Sequence, residues 1–270
     1  MAEIDILMAT YNGEKYLAQQ IDSILDQTFQ QWRLVIHDDG SRDETVRIIN
    51  AYVEKYPNKI VHIDDGIRTG GAKNNFFHLM QFVEAEYIMF SDQDDVWEKE
   101  KIEITYSEMK KNEINDVPCL VFTDLKVVDS QLNLISSSLK NYQKLEMPKN
   151  LDDSLLRNCV TGCAMMINSA FYQSMTYPRD VLMHDWWCMI EVFKNQGKLI
   201  FVEESPILYR QHSDNEVGAR KKCFKSTLNK FLTIHKTLEL LNKQYKQFRL
   251  VSNRSFFYFF SLKLKLYVFK

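Results

Sequence analysis

Between residues 4 and 90 the chain repeats one arrangement: a short apolar run, a turn rich in polar residues, then a stretch with apolar residues at helical spacing. The apolar runs are "IDILMA" (4–9), "WRLVIH" (32–37), "IVHID" (60–64) and "EYIMF" (86–90). The first three are followed by "EKYLAQQIDSILDQ" (14–27), where Leu17, Ile21, Ile24 and Leu25 share a face, by "RDETVRIINAYVEKY" (42–56), and by "KNNFFHLMQFVE" (73–84) after a glycine-bearing loop at 66–71. Ser41 stands three places before Glu44 and predicts a capping box for the second helix. Strands alternating with helices pair in parallel, because a crossover helix returns the chain to the same end of the sheet. The sequence therefore predicts an α/β fold with a mostly parallel central sheet and helices on both faces. In such sheets ligands bind outside the strands' carboxyl ends.

The fourth run ends in "SDQDDVW" (91–97), which sets Asp92, Asp94 and Asp95 directly against an apolar strand. Carboxylates so close repel one another and resist desolvation unless a cation or many donors neutralise them. Hard oxygen ligands at this spacing point to Mg²⁺ or Mn²⁺, with Asp94 as the main ligand and Asp92 and Asp95 assisting. Two further loops fall at strand ends, "ATYNG" (9–13) and "HDDGS" (37–41). Alone, the second is a turn with a helix cap, and an acidic loop is solvated or starts a helix. Three such loops at one edge of a sheet make a site. An apolar strand followed by Asp92-x-Asp94 also fits the nucleophile loop of dehalogenase-type phosphatases, but those carry the nucleophile on their first strand.

Downstream, "CLVFTD" (119–124), "VTGCAMMIN" (160–168) and "KLIFVE" (198–203) read as strands, and 185–195 as a helix. Residues 127–150 lack periodicity and read as a loop-rich excursion over the site. The five cysteines (119, 159, 163, 188 and 223) form no CxxC pair and read as reduced, buried thiols. The first residues lack a basic start and an apolar core, so the domain is expected in the cytoplasm.

Taken in order, "MATYNGEKYLAQQIDSILDQT", "IHDDGSRDET", "SDQDDVW", "TGCAMM", "HDWW" and "YRQH" resemble the inverting glycosyltransferases of family 2, over roughly residues 3–215. The resemblance is closest to bacterial rhamnosyltransferases. It implies the GT-A nucleotide-diphospho-sugar transferase fold and a catalytic domain spanning 1–219, whose first part (1–96) binds nucleotide and metal and whose second part (97–219) binds acceptor and sugar. The nucleotide would meet Ala9, Thr10, Tyr11, Asp39, Asp92 and Gln93. The metal, Mg²⁺ or Mn²⁺, would meet Asp94, Asp92 and His212. Asp185 matches the family's base, which takes a proton from the acceptor hydroxyl in a single displacement. Many relatives have Glu-Asp here, so His184 stands in the place of an acidic neighbour. Gly162, Cys163, His184, Trp186 and Arg210 would meet the sugar or the diphosphate. The partners implied are a dTDP- or UDP-linked sugar, with rhamnose favoured, and a glycan or lipid-linked acceptor, with no nucleic acid. A non-catalytic nucleotide-sugar-binding protein is the other reading of the same residues.

Charge separates the ends of the chain. Residues 220–270 carry 13 Lys and Arg against one acid, Glu239, leaving 21 basic and 35 acidic residues in 1–219. From 224 to 250 Phe224, Leu228, Phe231, His235, Leu238, Leu241, Tyr245 and Phe248 fall on one helical stripe, followed by "FFYFF" (256–260). The 220–270 tail is thus expected to be a basic amphipathic helix on an anionic membrane surface at the inner face of the cell membrane. The alternatives are packing on the body or on a second copy as a homodimer. No apolar run reaches the roughly 20 residues that span a bilayer.

Overall fold

The computed structural model describes residues 2–212 and 230–268. The amino-terminal units are β1 (Ile4–Thr10), α1 (Leu17–Leu25), β2 (Trp32–Asp38), α2 (Thr45–Lys55), β3 (Ile60–Ile63), α3 (Ala72–Leu79) and β4 (Tyr87–Ser91). A two-residue strand β5 (Val96–Trp97) leads to α4 (Lys101–Asn112) and β6 (Cys119–Thr123), then to β7 (Lys126–Val128), β8 (Leu134–Ser136), α5 (Leu139–Gln143) and α6 (Leu151–Leu156). The body closes with β9 (Met165–Asn168), α7 (Ser169–Ser174), α8 (His184–Lys194), β10 (Lys198–Val202) and β11 (Ile207–Arg210). Helices α9 (Lys230–Arg249) and α10 (Phe256–Val268) follow.

Seven strands form the central sheet in the order β10-β6-β9-β4-β1-β2-β3. Ile4 of β1 lies opposite Trp32 of β2 and Tyr87 of β4, both in parallel register. β9 alone runs antiparallel, between β4 and β6. All residues of β4, β6 and β9 are buried, as expected of strands covered on both faces. Helix α3 rests on β1 and β2 and touches α8, while α4 rests on β6, β9 and β10. The chain steps from β1 through β2 to β3, then crosses back to place β4 on the other side of β1. The crevice between the ends of β1 and β4 is therefore a topological switch point, where such sheets bind ligands.

Three expectations are corrected. No capping box forms at Ser41, because Asp38 takes the Ser41 N–H and hydroxyl, and α2 instead starts at Thr45, whose N–H and hydroxyl both reach the Asp43 carboxylate. The strand expected over 160–168 begins only at Met165, since Gly162–Ala164 make a 3₁₀ turn. The 127–150 excursion is not simply loop: β7 and β8 join β5 and β11 in a second sheet, ordered β5-β11-β7-β8. Its strands have two to four residues, too few for a periodicity to show.

The later part of the basic tail lies against the body. Phe248 of α9 and Phe259 of α10 are fully buried in the core cluster, and α9 and α10 both meet α6. Gln247 Oε1 accepts from the Leu182 N–H at 2.8 Å, and Tyr258 donates to Asp152 at 2.9 Å. Phe224, Leu228 and Cys223, with the side chains of Phe231 and His235, lie outside the described residues. No helix of the described residues is long and apolar enough to cross a membrane.

One buried ion pair closes the amino-terminal edge of the sheet. Asp5, with no exposed surface, receives two hydrogen bonds of 2.8 Å from Arg33 and further ones from the Glu84 and Ala85 N–H groups. Removing Asp5 leaves Arg33 its contact with Glu84 but takes the acceptor from the Glu84 and Ala85 N–H groups and from one face of the guanidinium. Asp5→Ala is expected to lower unfolding free energy by roughly 2 kcal/mol, read as a drop in the urea midpoint with unchanged slope.

Candidate functional site

At the carboxyl ends of β1, β2 and β4 the chain encloses a cavity of about 890 Å³. Its near wall is Ala9, Thr10 and Tyr11 from β1, Asp39 from the loop after β2, and Asp92, Gln93 and Asp94 after β4. The Gln93 amide spans the switch point, accepting from the Tyr11 N–H at 2.9 Å and donating to the Tyr11 carbonyl at 3.0 Å. Gly13 makes room for this clasp: a Cβ there would stand 2.3 Å from Gln93 Oε1.

The paired aspartates of "DDGS" have opposite tasks. Asp38 folds its own turn by accepting from the Gly40 and Ser41 N–H groups at 3.0 and 2.7 Å, and receives the Thr10 hydroxyl at 2.9 Å. Asp39 reaches the 66–71 loop, where its carboxylate accepts the N–H groups of Thr69, Gly70 (2.9 Å) and Gly71 (2.8 Å) and the Thr69 hydroxyl (3.1 Å). Burial pushes its carboxyl upward, but the Gly71, Thr69 and Gly70 amides outweigh it and hold the group below its usual range. Gly66, Gly70 and Gly71 all have positive φ, which lets successive amides turn toward one carboxylate.

The acidic loop divides as well. Asp92 and Asp94 line the cavity, and Asp94 Oδ2 lies 2.7 Å from His212 Nε2, whose ring rests on Tyr16. Asp95, expected to assist with metal, turns inward instead. It is fully buried and accepts the Arg210 N–H at 3.1 Å; burial, then Asp94 and Asp92, push its carboxyl well above the ordinary range. Beneath it lie the buried Cys163 thiol, raised by burial and then by Asp95, and Lys101, lowered by burial to about 7. Asp92, Asp95 and Cys163 offer donor atoms within 4.8 Å of one another. Asp92 and Asp94 on the cavity wall, with the His212 imidazole set against Asp94, are donor types that suit a hard or borderline divalent cation.

The far wall carries Gly162, His184 and Asp185. Asp185 sits in the first turn of α8, and its Oδ1 accepts the Trp186 N–H at 2.5 Å. Burial raises its carboxyl to about 6, against the opposing hydrogen bonds of Trp186, Gly162 and Asn158. His184 is wedged between Phe76 and Phe90, with ring centroids 4.3 and 5.5 Å away, and neither ring nitrogen has a hydrogen-bond partner among the described residues. Burial lowers its pKa to about 3, so the ring is neutral. A Cβ at Gly162 would fall 2.5 Å from His184 Nε2; the glycine is needed for the imidazole to fit.

Three residues expected at the sugar or diphosphate do not line the cavity. Cys163 is buried behind Asp95. Trp186 points away from Asp185 and donates to the Ser154 carbonyl at 2.7 Å, packing α8 on α6. Arg210 is buried over the Tyr16 ring, donating to the carbonyls of Asp94 (2.7 Å) and Ser130 (2.9 Å) and to Gln19 (2.6 Å), so it braces the acidic loop from behind. Two cations absent from the sequence reading, Arg42 and Arg68, line the cavity instead. Their signal was available: Arg68 stands in "GIRTGG", among glycines that only a shaped loop needs. Helix α5 of the excursion does cover the site, through Leu139 and Gln143.

A model of glycosyl transferase family 2 matches residues 5–174. The chain is 31% identical over 227 residues to dTDP-rhamnosyl transferase RfbG of Shigella flexneri, covering 78% of this chain and 74% of that one. It is 25% identical over 195 residues to the UDP-Glc:alpha-D-GlcNAc-diphosphoundecaprenol beta-1,3-glucosyltransferase WfgD of Escherichia coli, covering 72% and 71%. Among solved structures, the mannosyltransferase PcManGT of Pyrobaculum calidifontis, in complex with GDP-Man and Mn²⁺, superimposes with a TM-score of 0.64 at 12% identity over 98% of this chain and 70% of that one.

The His184 environment has a direct spectroscopic consequence. At pH 5, where an exposed histidine is charged, the His184 ring is expected to show the ¹⁵N shifts of a neutral imidazole, identified by their loss in His184→Gln. Shifts of a charged ring would mean that the imidazole is solvated.

Proposed function

The chain belongs to glycosyl transferase family 2, and from that membership we propose that it transfers a sugar, with inversion, from a nucleotide diphosphate to a hydroxyl of a bacterial surface glycan or its lipid-linked precursor. The observation that carries this reading is that one cavity is lined by Asp39, Asp92 and Asp94 at the switch point and by His184 and Asp185 across from them. The likeness to RfbG favours dTDP-rhamnose as donor; the likeness to WfgD keeps a UDP-hexose as the alternative and supports a lipid-linked acceptor. A phosphatase using Asp92 as nucleophile loses its footing, since Asp92 follows the fourth strand of a family 2 domain.

Each side chain then has a task. Thr10, Tyr11 and Asp39 form the base and ribose end, with Asp39 also ordering the 66–71 loop. Arg42 and Arg68 offer the diphosphate the charge that Arg210 spends on the acidic loop. Asp92, Asp94 and His212 would hold Mn²⁺ or Mg²⁺, which when bound neutralises charge on the departing diphosphate. Asp185, ionised above about pH 6, accepts the acceptor's proton, a contribution on the order of 10²–10⁴ in rate. His184 supplies a neutral ring N–H or lone pair to a sugar hydroxyl. Residues 1–219 act as the catalytic unit. The 220–270 segment attaches peripherally to an anionic inner membrane surface, through basic residues and the exposed Phe256, Phe257 and Phe260 of α10, of which Phe257 is 83% exposed.

Three outcomes test this. A dTDP- or UDP-sugar with Mn²⁺ at 100 times its dissociation constant stabilises the fold by about 2.7 kcal/mol; no thermal shift with any nucleotide sugar sinks the assignment. Asp185→Asn keeps donor binding and loses at least about 100-fold in transfer rate, whereas wild-type kcat/KM falls roughly tenfold per pH unit below about pH 6 as the base protonates. A non-catalytic binder would show the shift and no transfer. In vesicle sedimentation, full-length protein pellets with anionic lipid at low salt and Phe257→Ser pellets less; equal pelleting of both, or none, removes the membrane role from α10.

A further inference from the structure

The geometry points to a second metal site, of a softer kind than the acidic loop, built from His37, Asp65 and His78. These residues come from the end of β2, the loop after β3 and helix α3, and each presents one donor atom within 4.8 Å of the others. Asp65 Oδ2 lies 2.7 Å from His78 Nε2, and Asp65 Oδ1 lies 3.5 Å from His37 Nε2. The His37 and His78 side chains are 2% and 12% exposed and the Asp65 side chain 27%, so the group is shielded by protein on one side and open to solvent on the other.

Asn75 decides which nitrogen of His37 faces the group. The Asn75 amide donates from Nδ2 to the His37 carbonyl at 3.1 Å, which leaves its Oδ1 as the acceptor facing His37 Nδ1 at 2.8 Å. His37 therefore carries a hydrogen on Nδ1, which leaves Nε2 as the ring atom turned toward the Asp65 carboxylate. His37 Nε2 and the Asp65 carboxylate thus converge at 3.5 Å, where a cation between them would take a ligand from each. The arrangement is also that of a histidine prepared to bind metal: one ring nitrogen bonded to a fixed acceptor, the other aimed at a shared centre. The Ile67 N–H fixes Asp65 by donating to its Oδ1 at 3.0 Å. Two imidazoles and one carboxylate, with the exposed side left for water, suit Zn²⁺ better than Mg²⁺. Binding releases the hydrogen that His78 Nε2 shares with Asp65 in the metal-free state.

The site lies outside the cavity, since none of the three residues lines it. Its consequence reaches the cavity through the chain, because Asp65 opens the loop that carries Arg68 and the amides held by Asp39. A cation there ties that loop to β2 and α3.

The test uses full-length protein stripped with chelator and given Zn²⁺ or Co²⁺ alone. One Zn²⁺ per chain should survive gel filtration, and Co²⁺ should give the intense visible bands of a four-coordinate N/O site. Asp65→Asn and His78→Gln should lose both signals and Asp94→Asn should keep them, which separates this site from the acidic loop. In wild-type protein the His37 and His78 Nε2 ¹⁵N resonances should shift on adding Zn²⁺ while both Nδ1 stay protonated, a readout that stands even if a variant fails to fold. Absence of retained Zn²⁺ and of the ¹⁵N shift, or retention undiminished in folded His78→Gln, overturns the assignment and leaves a shared proton between His37 and Asp65.

Discussion

Three carboxylates within four residues, at the end of the central strand β4, are the constraint on which the rest of the molecule depends. The fold meets it by giving each a different environment. Asp92 stays at the cavity wall, Asp94 is set against His212, and Asp95 is driven inward, where burial and then its acidic neighbours push its carboxyl well above the ordinary range. The second sheet takes its meaning from this division. By pairing β5 and β7 with β11 it carries Arg210 behind the loop, where one guanidinium ties Asp94, Ser130 and Gln19 together while the Arg210 N–H holds Asp95. A cluster that would otherwise spread apart is thus fixed before any ligand arrives, and the strands that fix it are too short to exist without it.

The opposite wall solves the reverse problem. Asp185, the base in the proposed function, sits where little water reaches in the first turn of α8: burial raises the carboxyl, and the Trp186 and Gly162 amides limit the rise to about 6. The adjacent position cannot then carry a second carboxylate in the same apolar wedge between Phe76 and Phe90 without a further desolvation cost. A neutral imidazole can stand there, and Gly162 is the space it occupies. The His-Asp pair that departs from the commoner Glu-Asp pattern is therefore consistent with its pocket.

Much of this was legible in the sequence. The strand and helix periods located every strand from β1 to β4, because buried parallel strands are continuous apolar runs, and the motifs placed Asp39, Asp92, Asp94, His184 and Asp185 at one cavity. What failed did so for identifiable reasons. Ser41 has the spacing of a cap, but Asp38 and Asp43 are better acceptors close by. Trp186 follows Asp185 by one residue, a rotation of about 100° that turns it from the cavity to α6. Arg210 has the chemistry of a phosphate ligand, yet only tertiary structure shows that its hydrogen-bonding capacity is already committed. Arg42 and Arg68 lie in turns shaped by positive-φ glycines; the glycines around Arg68 signal such a loop, but residue types alone do not show which way its side chain points.

The carboxyl-terminal segment shows how one helical stripe can be read in two ways that are both physically sound. An apolar stripe on a basic helix serves a membrane or a core, and here the two uses are divided along the chain. Phe248 and Phe259 are spent on the body, stacked beside Tyr245 and locked by Gln247 and Tyr258 to Leu182 and Asp152. Phe257, one position before Tyr258, cannot face the same way on a helix, and together with Phe260 it is left exposed. Docking on α6, which precedes the Asn158–Gly162 wall of the cavity, places that exposed aromatic face at a fixed distance from Asp185. Whatever surface α10 meets, the cavity is held in a set orientation to it, and an acceptor anchored in that surface would reach the base without the enzyme having to search for it.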